Sequence, residues 1–409
     1  MPDEKALRGI FGSLRFKDFR LLFFGQIVSI SGTFMQSMAF SWLVFSLSGS
    51  ALNLGFNVFL SALPALLLTY QGGRLADRFS SKNVLLITQS LALGLTLALF
   101  FAASKSLLTV PLLYGFTLFQ GILDALEVPS RQVLVRQTVP DKAYLVNALS
   151  LSTSMLHISR IIGPALAALV LSLWGAPVCF LLNALSYLVS ILTITRLRVL
   201  KQKVDLSTAS FRGIIGRVWK QPFVRAMIQL YLVMGLLGVQ YLVVMPAFVK
   251  VQLGLSESAL GSILAGSALG SLAASLGLAA YANLRRLSKG IGVAQVGFGL
   301  TLVFFALAPN LELALLLALP LGVFQTLLMS GSSALLQQLI SDESVRGRLL
   351  SLFTFLSMGA AAPGALLIGF LAGYLGASLA LAVCGLLCLF VGVRFILLTR
   401  KFDIRQVSL

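Results

Sequence analysis

The sequence predicts an all-α membrane protein with twelve transmembrane helices arranged as two six-helix bundles. Three observations lead to this fold class. Of the 409 residues, 58% are hydrophobic and only 11% are charged, whereas an ordinary soluble domain has about 25% charged residues. Apolar segments of roughly 20 residues, the length that spans a bilayer core as a helix, recur from end to end. A long polar stretch, Arg196 to Gln221, divides these segments six and six.

The apolar segments are the predicted spans, and helices are expected because each segment is continuously apolar. Strands of a membrane barrel would instead alternate apolar and polar residues. The segments are 20–46, 53–73, 84–103, 107–128, 144–172, 177–195, 224–249, 258–282, 290–308, 312–334, 349–373 and 377–398. Residues 6–20 mix Leu, Ile and Phe with Arg and Lys, which predicts an interfacial helix leading into the first span.

The polar stretch also predicts the domain boundaries: an N-terminal bundle over 1–195, a linker over 196–223 and a C-terminal bundle over 224–409. The two halves share sequence features. Asp141 and Asp342 are 201 residues apart, and so are Ser150 and Ser351. A common offset at matching places in the topology indicates two parallel repeats.

The formal net charge of +18 is better explained by membrane topology than by binding to nucleic acid. With a cytoplasmic N-terminus, Lys105 and Lys250 are the basic residues that fall in loops on the other side, and Arg160 lies within a span. The other lysines and arginines gather on one side. Positive residues concentrate on the cytoplasmic side of membrane proteins, so both termini are predicted to be cytoplasmic, facing anionic lipid.

A short charged segment joins the second and third spans. It runs Gly73-Arg74-Leu75-Ala76-Asp77-Arg78-Phe79-Ser80-Ser81-Lys82 and resembles the loop that marks the major facilitator superfamily of secondary transporters. Ser80 and Ser81 stand where that loop has Gly and Arg. The resemblance implies a gating role for Gly73, Asp77, Arg78 and Lys82, and a carboxylate at a helix N-terminus is favoured by the helix dipole.

In the fifth span, Ser159 to Ala168 resembles a motif of superfamily exporters that exchange substrate for protons. Gly163 and Pro164 match it, and the small residues around them are expected to pack helices closely. The whole chain resembles the branch that contains the bacterial enterobactin exporter and macrolide-efflux permeases. The resemblance implies the major facilitator fold, the bacterial cytoplasmic membrane, a proton gradient in place of a cofactor, and a monomer.

Two polar stripes lie inside the predicted spans, where ionisable groups are costly and often functional. Ser150, Thr153, His157 and Arg160 share one face of the fifth helix. His157 and Arg160 either take part in substrate or proton coupling, or His157 is a hydrogen-bonded core residue and Arg160 braces helices. A second stripe on the fourth helix favours a gate network, in which both carboxylates, Asp124 and Glu127, are expected to reach Arg131 and Asp124 also to meet Arg78. Either carboxylate could instead carry a proton. That stripe consists of Gln120, Asp124, Glu127 and Arg131.

Because no carboxylate lies at a predicted midplane, the cargo is expected to be neutral or anionic. Polar residues near mid-span either add hydrogen bonds to the cargo or pack helices: Gln36, Gln240, Tyr241 and Gln325. Cys384 and Cys388, four residues apart, suit a metal pair or apolar packing, and packing is preferred, so no metal site is predicted. No pattern for an enzyme or a nucleotide-binding loop was found, so no catalytic residue is assigned.

These features lead to one functional hypothesis and two alternatives. The hypothesis is a proton-coupled exporter of a small amphipathic compound, such as a siderophore or a drug-like molecule, that works by alternating access. The first alternative is a proton symporter that imports a nutrient or a siderophore. The second is a non-transporting sensor or lipid-handling protein built on the same scaffold.

Overall fold

The computed structural model describes residues 11–78, 80–141, 144–198, 221–281, 284–339 and 343–399, and among these residues there is no β-strand. The helices are α1 (Lys17–Ser48), α2 (Ala51–Arg78), α3 (Ser81–Ser104), α4 (Val110–Gln137), α5 (Leu145–Thr195), α6 (Pro222–Gln252), α7 (Glu257–Tyr281), α8 (Leu284–Ala306), α9 (Leu311–Leu339), α10 (Glu343–Leu375) and α11 (Ala377–Thr399). Within the described ranges, 7 of them are long and apolar enough to cross a membrane: α1, α3, α5, α6, α7, α9 and α11.

Helix α5 carries two of the predicted segments, 144–172 and 177–195, on either side of a break. The break is at Gly175, whose φ is +78°. This left-handed conformation costs glycine little, because glycine has no Cβ. A kink at Gly175 therefore divides α5 into a first part, 145–174, and a second part, 176–195.

The N-terminal segment differs from the predicted interfacial helix over 6–20. In its described part, a 3₁₀ turn covers Gly12–Arg15 and Phe16 is extended before α1 begins. The turn is held by Asn147 on α5, whose Oδ1 accepts hydrogen bonds from the backbone N of Ser13 at 2.9 Å and its Oγ at 2.7 Å. Arg15 adds a hydrogen bond to the Tyr144 hydroxyl at 3.1 Å. These contacts stabilise a short turn where apolar and basic residues had indicated a helix.

The helices form two compact units. The first contains the described residues of 1–47 and 63–206, and the second those of 48–62 and 207–409. Most of the predicted linker, residues 199–220, lies outside the described residues, and the predicted domain boundaries stay a prediction.

The core of the first unit lies where α1, α3, α4 and α5 meet. Its buried residues include Phe19, Leu22, Phe23, Leu85, Leu134 and Met155. Gly163 on α5 lies directly against α1, because a Cβ at this position would be 2.8 Å from the carbonyl oxygen of Ser31. One turn earlier, Ser159 donates a hydrogen bond from Oγ to the carbonyl of Ile27 at 3.3 Å. The two backbones therefore approach closely at small side chains.

The second unit is packed in the same manner. A Cβ at Gly299 of α8 would lie 2.6 Å from the carbonyl oxygen of Gly385 on α11. The first turns of α2 belong to this unit, where a Cβ at Gly369 of α10 would lie 3.0 Å from the carbonyl oxygen of Ala51. Small residues thus set the distances between helices in both units.

Candidate functional site

The predicted gate motif spans the end of α2 and the start of α3. Gly73 belongs to α2, as do Asp77 and Arg78, whose side chains are not among those that the structure describes. The side chain of Lys82 is described, and its Nζ donates hydrogen bonds to the carbonyl oxygens of Thr195 at 2.9 Å and Leu197 at 2.7 Å. A cation at the C-terminal end of a helix satisfies carbonyls that have no partner in the helix, and it is favoured by the helix dipole. Lys82 therefore caps the end of α5.

The polar stripe of α4 divides into two pairs. Arg131 forms a salt bridge with Glu127 Oε1, one helical turn away. The other oxygen, Glu127 Oε2, accepts a hydrogen bond from Gln89 Nε2 of α3 at 2.9 Å. Glu127 is only 6% exposed, so its charge is compensated inside the bundle. Asp124 is exposed, and its Oδ1 accepts a hydrogen bond from Gln120 Nε2 at 2.9 Å.

The sequence had suggested that both carboxylates reach Arg131 and that Asp124 also meets Arg78. The structure places Arg131 on Glu127, while the side chain of Arg78 lies outside the described residues. The two carboxylates are thus in different settings: Glu127 is buried and paired, whereas Asp124 is exposed and bonded to an amide. The sequence did not indicate this difference, because both residues lie on the same apolar helix.

A second polar network, which the sequence reasoning missed, connects α1 with the second part of α5. Gln26 Nε2 donates to Ser190 Oγ at 3.1 Å. Further along α1, the hydroxyls of Thr33 and Tyr187 are 3.4 Å apart. The network continues with Gln36, whose Oε1 accepts a hydrogen bond from Asn183 Nδ2 at 2.8 Å.

This network also reaches α3 and α4. On α1, Ser29 donates from Oγ to Gln89 Oε1 at 3.4 Å, and Gln89 in turn donates to Glu127. The polar residues of α1 are spaced by three, four and three residues, which is the spacing of one helix face: Gln26, Ser29, Thr33 and Gln36. That spacing was the available signal, although only Gln36 was predicted, as a polar residue near mid-span.

The stripe on the first part of α5 is described only in part. The side chains of Ser150 and His157 are not among those that the structure describes. Thr153 donates from Oγ1 to the carbonyl of Leu149 in its own helix at 3.1 Å. Arg160 is exposed, with its Cζ 5.7 Å from the ring centre of Phe34 on α1, within the range of a cation–π contact.

In the second unit, the polar residues predicted near mid-span are bonded within their own bundle. Gln240 is 4% exposed and donates from Nε2 to the carbonyl of Gly235 at 2.9 Å. Tyr241 is 1% exposed, and its hydroxyl lies 2.9 Å from Ser267 Oγ. Gln325 is half-buried on α9. Gln240 and Tyr241 are thus buried and hydrogen-bonded within their own bundle, and a contact of either residue with cargo stays a prediction.

The cysteines in this unit lie in the interior of the helix packing. Cys384 and Cys388 are both free and fully buried. Among the residues that the structure describes, no group of three or more His, Cys, Asp or Glu side chains is arranged to hold a metal ion.

Comparison with known proteins decides which family this architecture represents. The model of the transmembrane secretion effector family, part of the major facilitator superfamily, matches residues 8–407. The chain belongs to this family. Membership makes it a multi-pass membrane transporter of the major facilitator type, as the charged segment between α2 and α3 had indicated.

Two curated relatives each have a modest sequence identity to this transporter. The staphyloferrin A transporter of Staphylococcus aureus is 29% identical over 175 residues, which is 42% of this chain and 44% of the relative. The alignment therefore spans less than half of that relative. The multidrug efflux pump Tap of Mycolicibacterium fortuitum is 25% identical over 403 residues, covering 95% of this chain and 97% of the pump.

Solved structures agree with the major facilitator fold. The nucleoside transporter NupG matches with a TM-score of 0.68 at 14% identity, over 94% of this chain and all of that one. A bacterial homologue of the human lysosomal transporter Spinster matches with a TM-score of 0.74 at 13% identity, over 94% and 97% of the two chains. At such identities the likeness concerns the fold alone.

Proposed function

We propose that this transporter exports a small neutral or anionic amphipathic compound, such as a siderophore or a drug-like molecule, in exchange for protons by alternating access. The observation that carries the proposal is the similarity to the efflux pump Tap over nearly the whole of both chains. The family of secretion effectors and the partial match to the staphyloferrin A transporter support export and a siderophore-like cargo. The chain acts as a carrier and not as an enzyme.

The proposed preference for neutral or anionic cargo follows from the charges of the first unit. Glu127 is neutralised by Arg131, so it offers little attraction to a cation. The guanidinium of Arg160 is exposed and lies beside the ring of Phe34. A planar cation beside an aromatic ring suits carboxylates and catecholates, which combine negative charge with a flat apolar body.

Proton coupling is proposed to involve the ionisable residues of α4 and α5. Asp124 is exposed and one turn from the compensated Glu127, and His157 is the one histidine of the sequence, a residue type that often transfers protons in proteins. No bound cofactor is required in this scheme, because the proton gradient supplies the energy.

The proposed topology has twelve spans in two six-helix bundles, both termini in the cytoplasm, and a bacterial cytoplasmic membrane as the location. The charge distribution of the loops supports it. Cysteines introduced at Ser104 and Pro140, both exposed in loops or at helix ends, should be labelled by an impermeant thiol reagent from opposite sides. The native cysteines are buried and provide a low background. Labelling of both positions from one side would contradict this topology.

The direction of transport can be tested in everted membrane vesicles with an acidic interior, using a panel of siderophores and drug-like compounds. A proton-coupled exporter should accumulate its cargo inside, because protons leave as the cargo enters. A symporter would instead drive preloaded cargo out of the vesicle together with protons. No proton-linked flux with any compound would favour the sensor or lipid-handling alternative.

A further inference from the structure

A cleft on the second unit lies between the first turns of α6 and the last turns of α11. Its volume is about 490 Å³ and its floor includes Phe223, which is fully buried against Phe395. Arg225 and Gln229 of α6 line one side, and Arg394 of α11 lines the other. Gln229 and the two arginines are not among the residues with a proposed role in transport.

Both guanidinium groups in this cleft are exposed. Neither Arg225 nor Arg394 forms an ion pair within the part of the chain that the structure describes. Two like charges that line one small cleft repel each other, and an anion between them removes that repulsion. The cleft also lies at the N-terminal end of α6, where the helix dipole favours negative charge. Its polar part is therefore suited to an anionic group.

The cleft continues into an apolar groove along α11. A neighbouring cavity of about 470 Å³ shares Arg394 and Leu398 and is lined further by Phe390, Val393 and Leu397. These residues recur every three or four positions, so they share one helix face. Phe390 is 66% and Leu397 56% exposed, as expected of a face in contact with lipid. The polar cleft and the apolar groove thus adjoin at Arg394.

We propose that this cleft binds an anionic phospholipid, with the phosphate headgroup between Arg225 and Arg394 and an acyl chain in the groove formed by Phe390, Val393 and Leu397. The charge of the cleft selects the headgroup, and the groove requires a chain that free phosphate does not have. This inference uses the proposed topology in one respect only: the topology places the cleft at the cytoplasmic leaflet, which is rich in anionic lipid. The competing explanation is that the two arginines extend toward the headgroups of any lipid and do not select an anionic one.

Native mass spectrometry of the full chain in detergent can measure the binding of dioleoyl phosphatidylglycerol, with dioleoyl phosphatidylcholine as the neutral comparison. The unaltered protein should bind phosphatidylglycerol at least about tenfold more tightly. The double variant R225Q/R394Q should lose about thirtyfold in affinity, which corresponds to about 2 kcal/mol for two arginines near the headgroups. Equal binding of the two lipids by the unaltered protein would overturn the proposal.

Four further measurements separate the lipid site from simpler explanations. R225K/R394K should bind nearly as well as the unaltered protein, which shows that charge is what the site requires. R136Q, which removes an exposed arginine at the end of α4, should leave binding unchanged. V393W should weaken binding about tenfold, because the indole fills the groove. If V393W binds normally, or if excess inorganic phosphate displaces the lipid, the site is not one for a phospholipid.

Discussion

The buried pair of Glu127 and Arg131 allows a quantitative prediction about the first unit. Glu127→Gln keeps the size of the side chain but removes its charge. Breaking a buried ion pair by removing one partner costs about 3–5 kcal/mol, because the other charge stays buried. The side chain of Arg131 retains 19% exposure, so we expect the lower end, about 3 kcal/mol. At about 2–4 °C per kcal/mol for a unit of this size, the melting temperature should fall by about 6–12 °C.

The same helix offers a matched control. Asp124→Asn also removes one negative charge, but Asp124 is exposed and its partner is the amide of Gln120. An exposed substitution of this kind changes stability by about 0.5 kcal/mol or less. Comparing the two variants separates the effect of a compensated buried charge from that of net charge alone.

The assay is thermal unfolding of the purified protein in detergent, followed by intrinsic fluorescence at one fixed scan rate. A double variant, E127Q/R131Q, should recover much of the lost melting temperature, because it leaves no charge buried without a partner. The reasoning is refuted if E127Q and D124N melt at the same temperature, or if the double variant is no more stable than E127Q.

Four further predictions concern other residues. Lys82→Met should lower stability by about 1 kcal/mol through loss of the α5 cap, measured by the same melt. Gly163→Leu should prevent a stable fold, because its Cβ would meet the α1 backbone, whereas Gly94→Leu, with no atom within 4 Å of its Cβ, should express normally. Asp77→Asn should abolish transport in vesicles without changing membrane insertion, and full turnover would exclude the gating role. Arg160→Gln should weaken binding of an anionic cargo at least about tenfold, and equal affinity would leave Arg160 only a packing role.

The positions of the helices could be predicted from the sequence because burial in lipid demands long continuous apolar segments. The division of α5 was also visible, since the predicted segments end before Gly175 and resume after it. The N-terminal turn was not, because its shape depends on hydrogen bonds to Asn147, more than 130 residues away. Apolar and basic composition is common to an interfacial helix and to a turn docked on a neighbouring helix.

The candidate site was predictable in its charged residues and not in its neutral ones. A carboxylate or guanidinium inside a span is conspicuous, so Glu127 and Arg131 were found. Amides and hydroxyls are common in membrane helices, and only the folded structure shows which of them meet. Gln240 and Tyr241, for which the sequence left cargo binding and helix packing both open, form hydrogen bonds within their own bundle.

The neutral network has a consequence for how the first unit moves. Side-chain hydrogen bonds connect α1 to the second part of α5 at three levels, through Gln26, Thr33 and Gln36. A fourth bond connects α1 to α3, and α3 is bonded in turn to Glu127 on α4. In an apolar surrounding, breaking such bonds leaves polar groups without partners, at a cost of about 1–2 kcal/mol each. Changes of conformation during transport are therefore expected to move these helices together, as one body, rather than to slide them past each other.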